Sequence, residues 1–302
     1  MLITTANIQA LQTTTSTIFR QAVADSDLFW SELAMLIPST TQINTYAWMA
    51  RILSMREWLG PRLLQNLKNY EYQLTNRTYE ATIKLGREEI EDDMLGIFNM
   101  QMQELARAGA KLPDQLLKAT IQGGTAATAV GFDGQPHFSA THDLDPAGNQ
   151  SNNITGNALS AANYDSSRAA MCSLTGEDGE PLGCMADLLV VPPQLEYTAK
   201  TIVNADVIPN AAGNASQTNV LRGTARVLVV PEFANEPTVW YLMDTRRPMK
   251  PFIWQQRRAL SITSKTAPTE DAVFMDNCML WGIDGRGATG YGPWWLSQRN
   301  IA

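Results

Sequence analysis

The stretch YEYQLTNRTYEATIKLGREEIEDDMLG, residues 70–96, opens with apolar and polar residues in alternation on both sides of Asn76. Its alternating apolar residues are Tyr70, Tyr72, Leu74, Tyr79, Ala81, Ile83 and Leu85. Alternation with period two is typical of a strand with one buried face, so we predict a two-stranded hairpin over residues 70–85 that turns at Asn76 and Arg77. An isolated hairpin is marginally stable in water, so its apolar face must pack on its own domain or on a neighbouring subunit.

The same stretch then leads into a segment with helical periodicity, residues 87–123. The apolar residues on one helical face are Ile90, Met94, Ile97, Phe98, Leu105 and Leu112. The acidic residues at 88–93 suit the positive end of the helix dipole, and we interpret them as a solvated helix start because no His or Cys accompanies them. Pro113 begins or bends a second helical stretch that ends at Gly123 and Gly124. A continuous helix over 87–123 would be about 55 Å long.

The flanking segments complete an α+β pattern. FRQAVADSDLFWSELAMLI, residues 19–37, has roughly helical apolar spacing and predicts an arm too small to bury its apolar side alone. Residues 124–166 are loop-rich, and MADLLVVPP at 185–193 predicts a buried strand with a helix on either side of it. From residue 225 onward, several turn-separated segments are rich in β-branched and aromatic residues, which predicts a C-terminal sheet.

Composition and charge narrow the class of protein. The 302 residues are 44% hydrophobic and 18% charged, which is typical of a folded chain. Three cysteines without a CxxC pair and no predicted secretory or membrane-spanning segment indicate a protein made in a reducing cytoplasm. Residues 124–220 carry two basic and ten acidic groups, which argues against a nucleic-acid-binding face there.

The C-terminal part of the chain has a basic excess, with ten basic and seven acidic residues over 221–302. The members that stand out are Arg246, Arg247, Lys250, Arg257 and Arg258. They form either a solvated surface or a surface that meets an acidic region of a neighbouring subunit.

Motifs for known chemistries are weak. GRGATG at 285–290 matches GxGxxG literally, but Gly292 and Pro293 prevent the helix that a dinucleotide fingerprint requires. We interpret it as a glycine-rich bend between the last strands. The sequence contains no GxxxxGK[ST], GxSxG or HExxH motif, and Cys172 and Cys184 are too isolated for a zinc knuckle.

The only two histidines lie in DGQPHFSATHD, residues 133–143. Zinc normally takes three or four ligands, and His137, His142 and Asp143 are candidates for them. Nothing else in the sequence completes a metal or catalytic constellation. We therefore predict a structured polar loop with a histidine satisfied by the backbone, and no catalytic, cofactor-binding or metal-binding residues.

Four segments in the same order resemble the major head subunit of Mu-like phages. They are MREWLGPR (55–62), NRTYEATIKLGREEIEDDMLG (76–96), DGQPHFSATH (133–142) and PTVWYLMDTRRPMKPFIWQQ (237–256). One departure is His137, which stands where an aromatic residue is expected in that family and which weakens a shared metal role further.

This resemblance implies an α+β fold, the tailed-phage major capsid fold. It implies an N-terminal arm at 1–50, an extended β-hairpin loop at 51–86, and a peripheral domain at 87–159 with a long spine helix and a connecting loop. An axial domain would follow at 160–225, and strands of the peripheral domain at 226–302.

The resemblance also implies a function without enzymatic activity or cofactors. The expected protein is a major capsid protein that self-assembles, through hexamers and pentamers, into an icosahedral head shell enclosing phage DNA. Expected partners are scaffold, portal and decoration proteins and packaged DNA contacted non-specifically, with no membrane. The protein would be made in the host bacterial cytoplasm and reside in the virion. The alternatives are an encapsulin-like compartment shell around a protein cargo and a metal-dependent hydrolase using His137 and His142.

Overall fold

The computed structural model describes residues 5–49, 69–92, 96–143, 148–176, 179–209 and 216–302. The helices are α1 Thr5–Ala24, α2 Trp30–Leu33, α3 Arg87–Glu91, α4 Ile97–Ala110, α5 Leu112–Gln122, α6 Ala161–Cys172, α7 Glu196–Asn204 and α8 Asp271–Asp276. The first strands are β1 Ala34–Pro38, β2 Ile43–Met49, β3 Asn69–Thr75, β4 Arg77–Gly86, β5 His142–Asp143, β6 Asn149–Gln150 and β7 Asn153–Ile154. The later strands are β8 Leu188–Val191, β9 Val207–Pro209, β10 Ser216–Thr218, β11 Arg226–Val229, β12 Val239–Met243, β13 Phe252–Lys265, β14 Cys278–Tyr291 and β15 Ser297–Ile301.

A five-stranded mixed sheet has the order β11-β8-β12-β15-β7 and a core on each face. In β8, Leu189 and Val191 belong to the core that includes α6 and α7, whereas Leu188 and Val190 belong to the core that includes α5. A strand buried on both faces is apolar at every position, which is why LLVV shows no alternation. The buried strand predicted within 185–193 is confirmed.

A longer four-stranded sheet has the order β1-β13-β14-β4. One face packs against α1 and α4 in a third core, where the rings of Phe98 and Trp281 lie 5.0 Å apart. Phe19 and Ala22 of α1 are buried in this core. The described part of the N-terminal arm therefore buries apolar residues within its own chain.

The hairpin predicted over 70–85 is wrong in its pairing, although both of its strands exist. β3 pairs antiparallel with β2, and β4 pairs antiparallel with β14. Asn76, the predicted turn residue, is buried between the two ladders, where its amide donates to the Ser39 hydroxyl and the Thr41 carbonyl. Alternation reports which face of a strand is buried and carries no information about the neighbouring strand.

The two long helical predictions need correction as well. The helical spacing predicted over 19–37 does not extend through the segment: α1 ends at Ala24, and strand β1 follows Leu33 because the backbone there pairs in parallel with β13. The spine is not one continuous helix, because Gly96 has a left-handed φ of 71° before α4 and Lys111 separates α4 from α5. Ile97, predicted on the buried face, is 49% exposed.

The C-terminal segment differs from the prediction at two places. Residues 271–276 form the short helix α8 within the part of the chain for which a C-terminal sheet was predicted. The GRGATG motif lies inside β14 and is not a bend. A Cβ at Gly287 would lie 2.5 Å from the Trp254 ring, and one at Gly290 would lie 2.5 Å from Leu74. These glycines allow close packing of neighbouring side chains against the strand.

Candidate functional site

Both candidate histidines are fully buried in a polar network beside the C-terminal strands. His142 lies at the start of β5, and its Nδ1 forms a hydrogen bond of 2.5 Å with Asp133 Oδ2. Its Nε2 lies 3.0 Å from Asn152 Oδ1. The Asp133 carboxylate is almost entirely shielded from solvent, so the two charges that this pair can carry are compensated inside the protein.

The orientation of Asn152 determines the proton on His142. The Asn152 Nδ2 donates to the backbone carbonyls of His137, Trp294 and Ser297, so Oδ1 is the atom that faces the imidazole. A carbonyl oxygen only accepts, and therefore the His142 Nε2 carries a hydrogen. Both ring nitrogens of His142 thus face side-chain oxygens at hydrogen-bond distance, and neither is directed at a position that a metal ion could occupy.

His137 occupies an aromatic environment in the same network. Its ring stacks on Tyr291 with centroids 4.8 Å apart, and its Nε2 lies 2.9 Å from the Ser297 hydroxyl. Burial and, to a smaller extent, the nearby His142 lower the pKa of His137 from 6.5 to about 3, so the ring is neutral. The Nδ1 atom is buried and has no hydrogen-bond partner among the described residues.

The three predicted metal candidates do not converge on one point. His137 and His142 point into the core, whereas Asp143 is exposed. Over the described ranges, no group of three or more His, Cys, Asp or Glu side chains is arranged to hold a metal ion. The prediction that a histidine is satisfied by the backbone is wrong, because the ring partners are the side chains of Asp133, Asn152 and Ser297. The distant Asn152 and Ser297 carried no local sequence signal.

Most of the basic C-terminal residues bind within their own chain. Arg246 and Arg247 lie 3.7 and 3.3 Å from the buried Asp244 carboxylate, and Lys250 donates to the Ser31 carbonyl. Arg258 pairs with Asp284. These intrachain contacts restrict the surface that the basic segment could offer to a neighbour.

Solved structures with this fold define the class of protein. The chain matches the procapsid of bacteriophage JBD30 with a TM-score of 0.61 and 29% identity, covering 99% of this chain and 76% of that one. It also matches the JBD30 capsid decorated with minor capsid protein trimers, with a TM-score of 0.56 and 25% identity over 77% of this chain and 99% of that one. The fold is that of the major capsid proteins of tailed phages.

The family follows from the sequence. The model of the family described as Mu-like prophage major head subunit gpT matches residues 8–158, 154–233 and 232–301, and the chain belongs to this family. The major capsid protein of Escherichia phage Mu is 28% identical over 297 residues, which is 98% of this chain and 74% of that protein. The predicted resemblance and fold class are confirmed, and the chain is a major capsid protein of the phage head shell. No helix in the described ranges is long and apolar enough to cross a membrane.

Proposed function

We propose that copies of this chain form hexamers and pentamers that close into an icosahedral shell around phage DNA. The observation that carries the proposal is the family match, which extends from residue 8 to residue 301. The β2–β3 ladder supports it, because both strands pair only with each other within the described chain. A two-stranded ladder is marginal by itself, and a neighbouring copy would provide the surface on which it rests.

The base of this ladder is fixed to the rest of its own subunit. The Tyr46 hydroxyl donates to Gln255, the Tyr72 hydroxyl accepts from the Tyr291 N–H at 3.0 Å, and Leu74 is buried. The pair Met49 and Asn69 lies at the opposite end of the ladder from this anchor. An anchored base is the geometry that an extended loop needs to reach a neighbouring copy.

The proposed subdivision follows the family architecture. It comprises the arm 1–50, the extended loop 51–86 that rejoins the long sheet through β4, the peripheral segment 87–159, the axial domain 160–225 and the strands of 226–302. Three strands of the last segment, β11, β12 and β15, belong to the same sheet as β8 of the axial domain. We therefore expect the axial and peripheral regions to unfold together.

We further propose that the chain has no catalytic, cofactor or metal site and that both histidines are structural. The two side-chain partners of the His142 ring and the neutral, buried ring of His137 support this assignment. Untreated shells should contain no stoichiometric zinc by elemental analysis, and chelator-treated shells should keep their form. Zinc lost together with shell integrity would support the hydrolase or metal alternative instead.

The proposed partners are scaffold, portal and decoration proteins, and packaged DNA contacted non-specifically. Minor capsid protein trimers decorate the JBD30 capsid, which supports a decoration partner here. The net charge of −7 disfavours tight binding of DNA. Cys172, Cys184 and Cys278 are free, as suits synthesis in a reducing bacterial cytoplasm.

Electron microscopy of the purified chain and analysis of its contents test the shell. Closed particles with nucleic acid inside agree with the proposal, closed particles with only a protein cargo favour the encapsulin-like alternative, and a soluble enzyme without particles contradicts both.

Ala47→Pro removes a backbone donor in β2 opposite Glu71 and should block assembly of a folded subunit. Ala47→Ser is the matched control and should assemble. Normal particles from Ala47→Pro would contradict the proposed contact between the β2–β3 ladder and a neighbouring copy.

A further inference from the structure

Two adjoining depressions on the long sheet share two arginines. One has a volume of about 370 Å³ and is lined by Thr78, Arg257, Arg258 and Arg286. The other has a volume of about 270 Å³ and is lined mostly by apolar side chains, among them Leu36, Leu112, Trp254 and Leu260, with Arg258 and Arg286 at its side. We refer to the two together as the arginine groove.

The arginine groove has an excess of positive charge that the subunit does not neutralise. Arg258 pairs with Asp284, and Arg257 donates to the Ser39 carbonyl and has no ion pair with a described residue. Arg286 has no ion pair with any described residue, and its Nε is buried without a hydrogen-bond partner. Arg257 and Arg286 have no acidic partner among the described residues, and the adjoining depression is mostly apolar, so this surface suits a ligand that brings a carboxylate and an apolar side chain together.

Helix α8 presents such a combination on the surface of the same molecule. Phe274 and Met275 are 79% and 76% exposed. Asp271 lies one helical turn before them, on the same face, and is also exposed. Asp276 is already paired with Lys84, whereas Asp271 has no ion pair with a described residue. Asp271, Phe274 and Met275 together form what we call the α8 knob.

The α8 knob is too far from the arginine groove of its own chain to occupy it. α8 ends just before β14 begins at Cys278, and Arg286 is eight residues further along this strand. The strand rise puts about 27 Å between the two positions. An occupant with the chemistry of α8 must therefore come from another copy.

We propose that the α8 knob of one subunit docks in the arginine groove of the next, with Phe274 in the apolar part and Asp271 paired with Arg286. The volume of about 270 Å³ exceeds the roughly 150 Å³ of a cavity that holds benzene, so a phenyl ring fits. The apolar lining favours a protein segment over a DNA phosphate. A head-to-tail contact of this kind repeats from copy to copy, as a shell requires. The proposal rests on the shell function proposed above.

A cysteine pair tests the contact in assembled shells. Met275→Cys, which keeps Phe274, combined with Leu36→Cys in the groove, where Leu36 is 51% exposed, should give dimers and higher multimers on a denaturing gel after treatment with a short bismaleimide. The matched control is Val220→Cys combined with Leu36→Cys, since Val220 is 85% exposed and lies outside the knob. Shells from the test pair that give no more multimers than the control overturn the docking and leave the shell function intact. If the unaltered chain forms no shells, the shell function fails and the docking fails with it.

A charge exchange tests the ion pair separately. Arg286→Glu should reduce the yield of shells because two carboxylates then face each other across the contact. Asp271→Arg in the same chain should restore the yield, since it reverses the pair. A yield from Arg286→Glu equal to that of the unaltered chain, or no recovery in the double variant when each single variant folds, overturns the pairing of Asp271 with Arg286.

Discussion

The imidazole of His142 lies flat on the indole of Trp294, with ring centroids 3.9 Å apart and planes inclined by 4°. This stack holds the ring edge-on to its two polar partners, Asp133 on one side and Asn152 on the other. Asn152 in turn donates to the carbonyls of Trp294 and Ser297. The loop that contains the histidines is therefore fastened to the end of the five-stranded sheet by a buried polar network.

His142→Phe should destabilise the subunit by about 3–5 kcal/mol, because it preserves an aromatic ring but leaves the buried Asp133 carboxylate unpaired. His137→Phe is the matched control. It loses the hydrogen bond to Ser297 but also removes the unpartnered Nδ1, so its cost should be about 1 kcal/mol. Urea unfolding of the dissociated subunit measures both changes. Equal losses in the two variants would contradict the special role of His142.

The free energy of unfolding of the subunit should fall as the pH rises from about 4 to about 6, because the buried carboxyl of Asp114 ionises in this range. Burial raises the pKa of this carboxyl from 3.8 to about 6, although the Trp30 and Phe29 N–H groups that donate to it act in the opposite direction. In this window the folded state retains a proton that the unfolded state has lost, so the free energy of unfolding falls by up to about 3 kcal/mol.

Asp114→Asn removes this titration and is the variant for comparison. The stability of the variant relative to the unaltered chain should increase between pH 4 and pH 7 in denaturant unfolding of the dissociated subunit. Parallel stability profiles over this range would show that Asp114 titrates in the folded state as it does in the unfolded state.

Gly290→Ala should cost about 1–3 kcal/mol by overpacking the contact between β14 and the base of the extended loop. The added Cβ would lie 2.5 Å from Leu74 and 2.8 Å from the Tyr72 hydroxyl. Gly123→Ala is the control, because its φ is −75° and no atom lies within 4 Å of the new Cβ. Thermal unfolding should separate the two variants, and similar melting temperatures would refute the tight contact.

The subunits should not be joined covalently through Lys84. The hydrogen bond from its ammonium to Asp276, at 3.1 Å, and the charge of that carboxylate raise the pKa of Lys84. An amine attacks only after it loses its proton, so this lysine is held in the unreactive form. The other lysine of the segment, Lys68, lies outside the described residues. Boiled shells should give one band near 33 kDa on a denaturing gel, and a ladder of multimers would contradict this expectation.

The local sequence was sufficient to predict the type and burial of an element where these depend on the residues of that segment alone. The apolar run within 185–193 predicted a buried strand, which is Leu188–Val191, and the alternation at 79–85 correctly indicated a strand with one apolar face. Pro113 and Gly123 located the limits of α5 to within a residue or two. The ordered motifs at 76–96, 133–142 and 237–256 then supported the family and the capsid fold.

Tertiary structure decided which distant segments meet. β3 pairs with β2, and β4 pairs with β14 some two hundred residues later, because strand neighbours are chosen by long-range backbone hydrogen bonds that alternation does not encode. The histidines appeared in a polar, glycine-containing loop, yet both are buried because Trp294, Asn152 and Ser297 close around them. Burial of a polar side chain depends on partners that fold against it, and two of these partners, Trp294 and Ser297, are far from the histidines in the sequence.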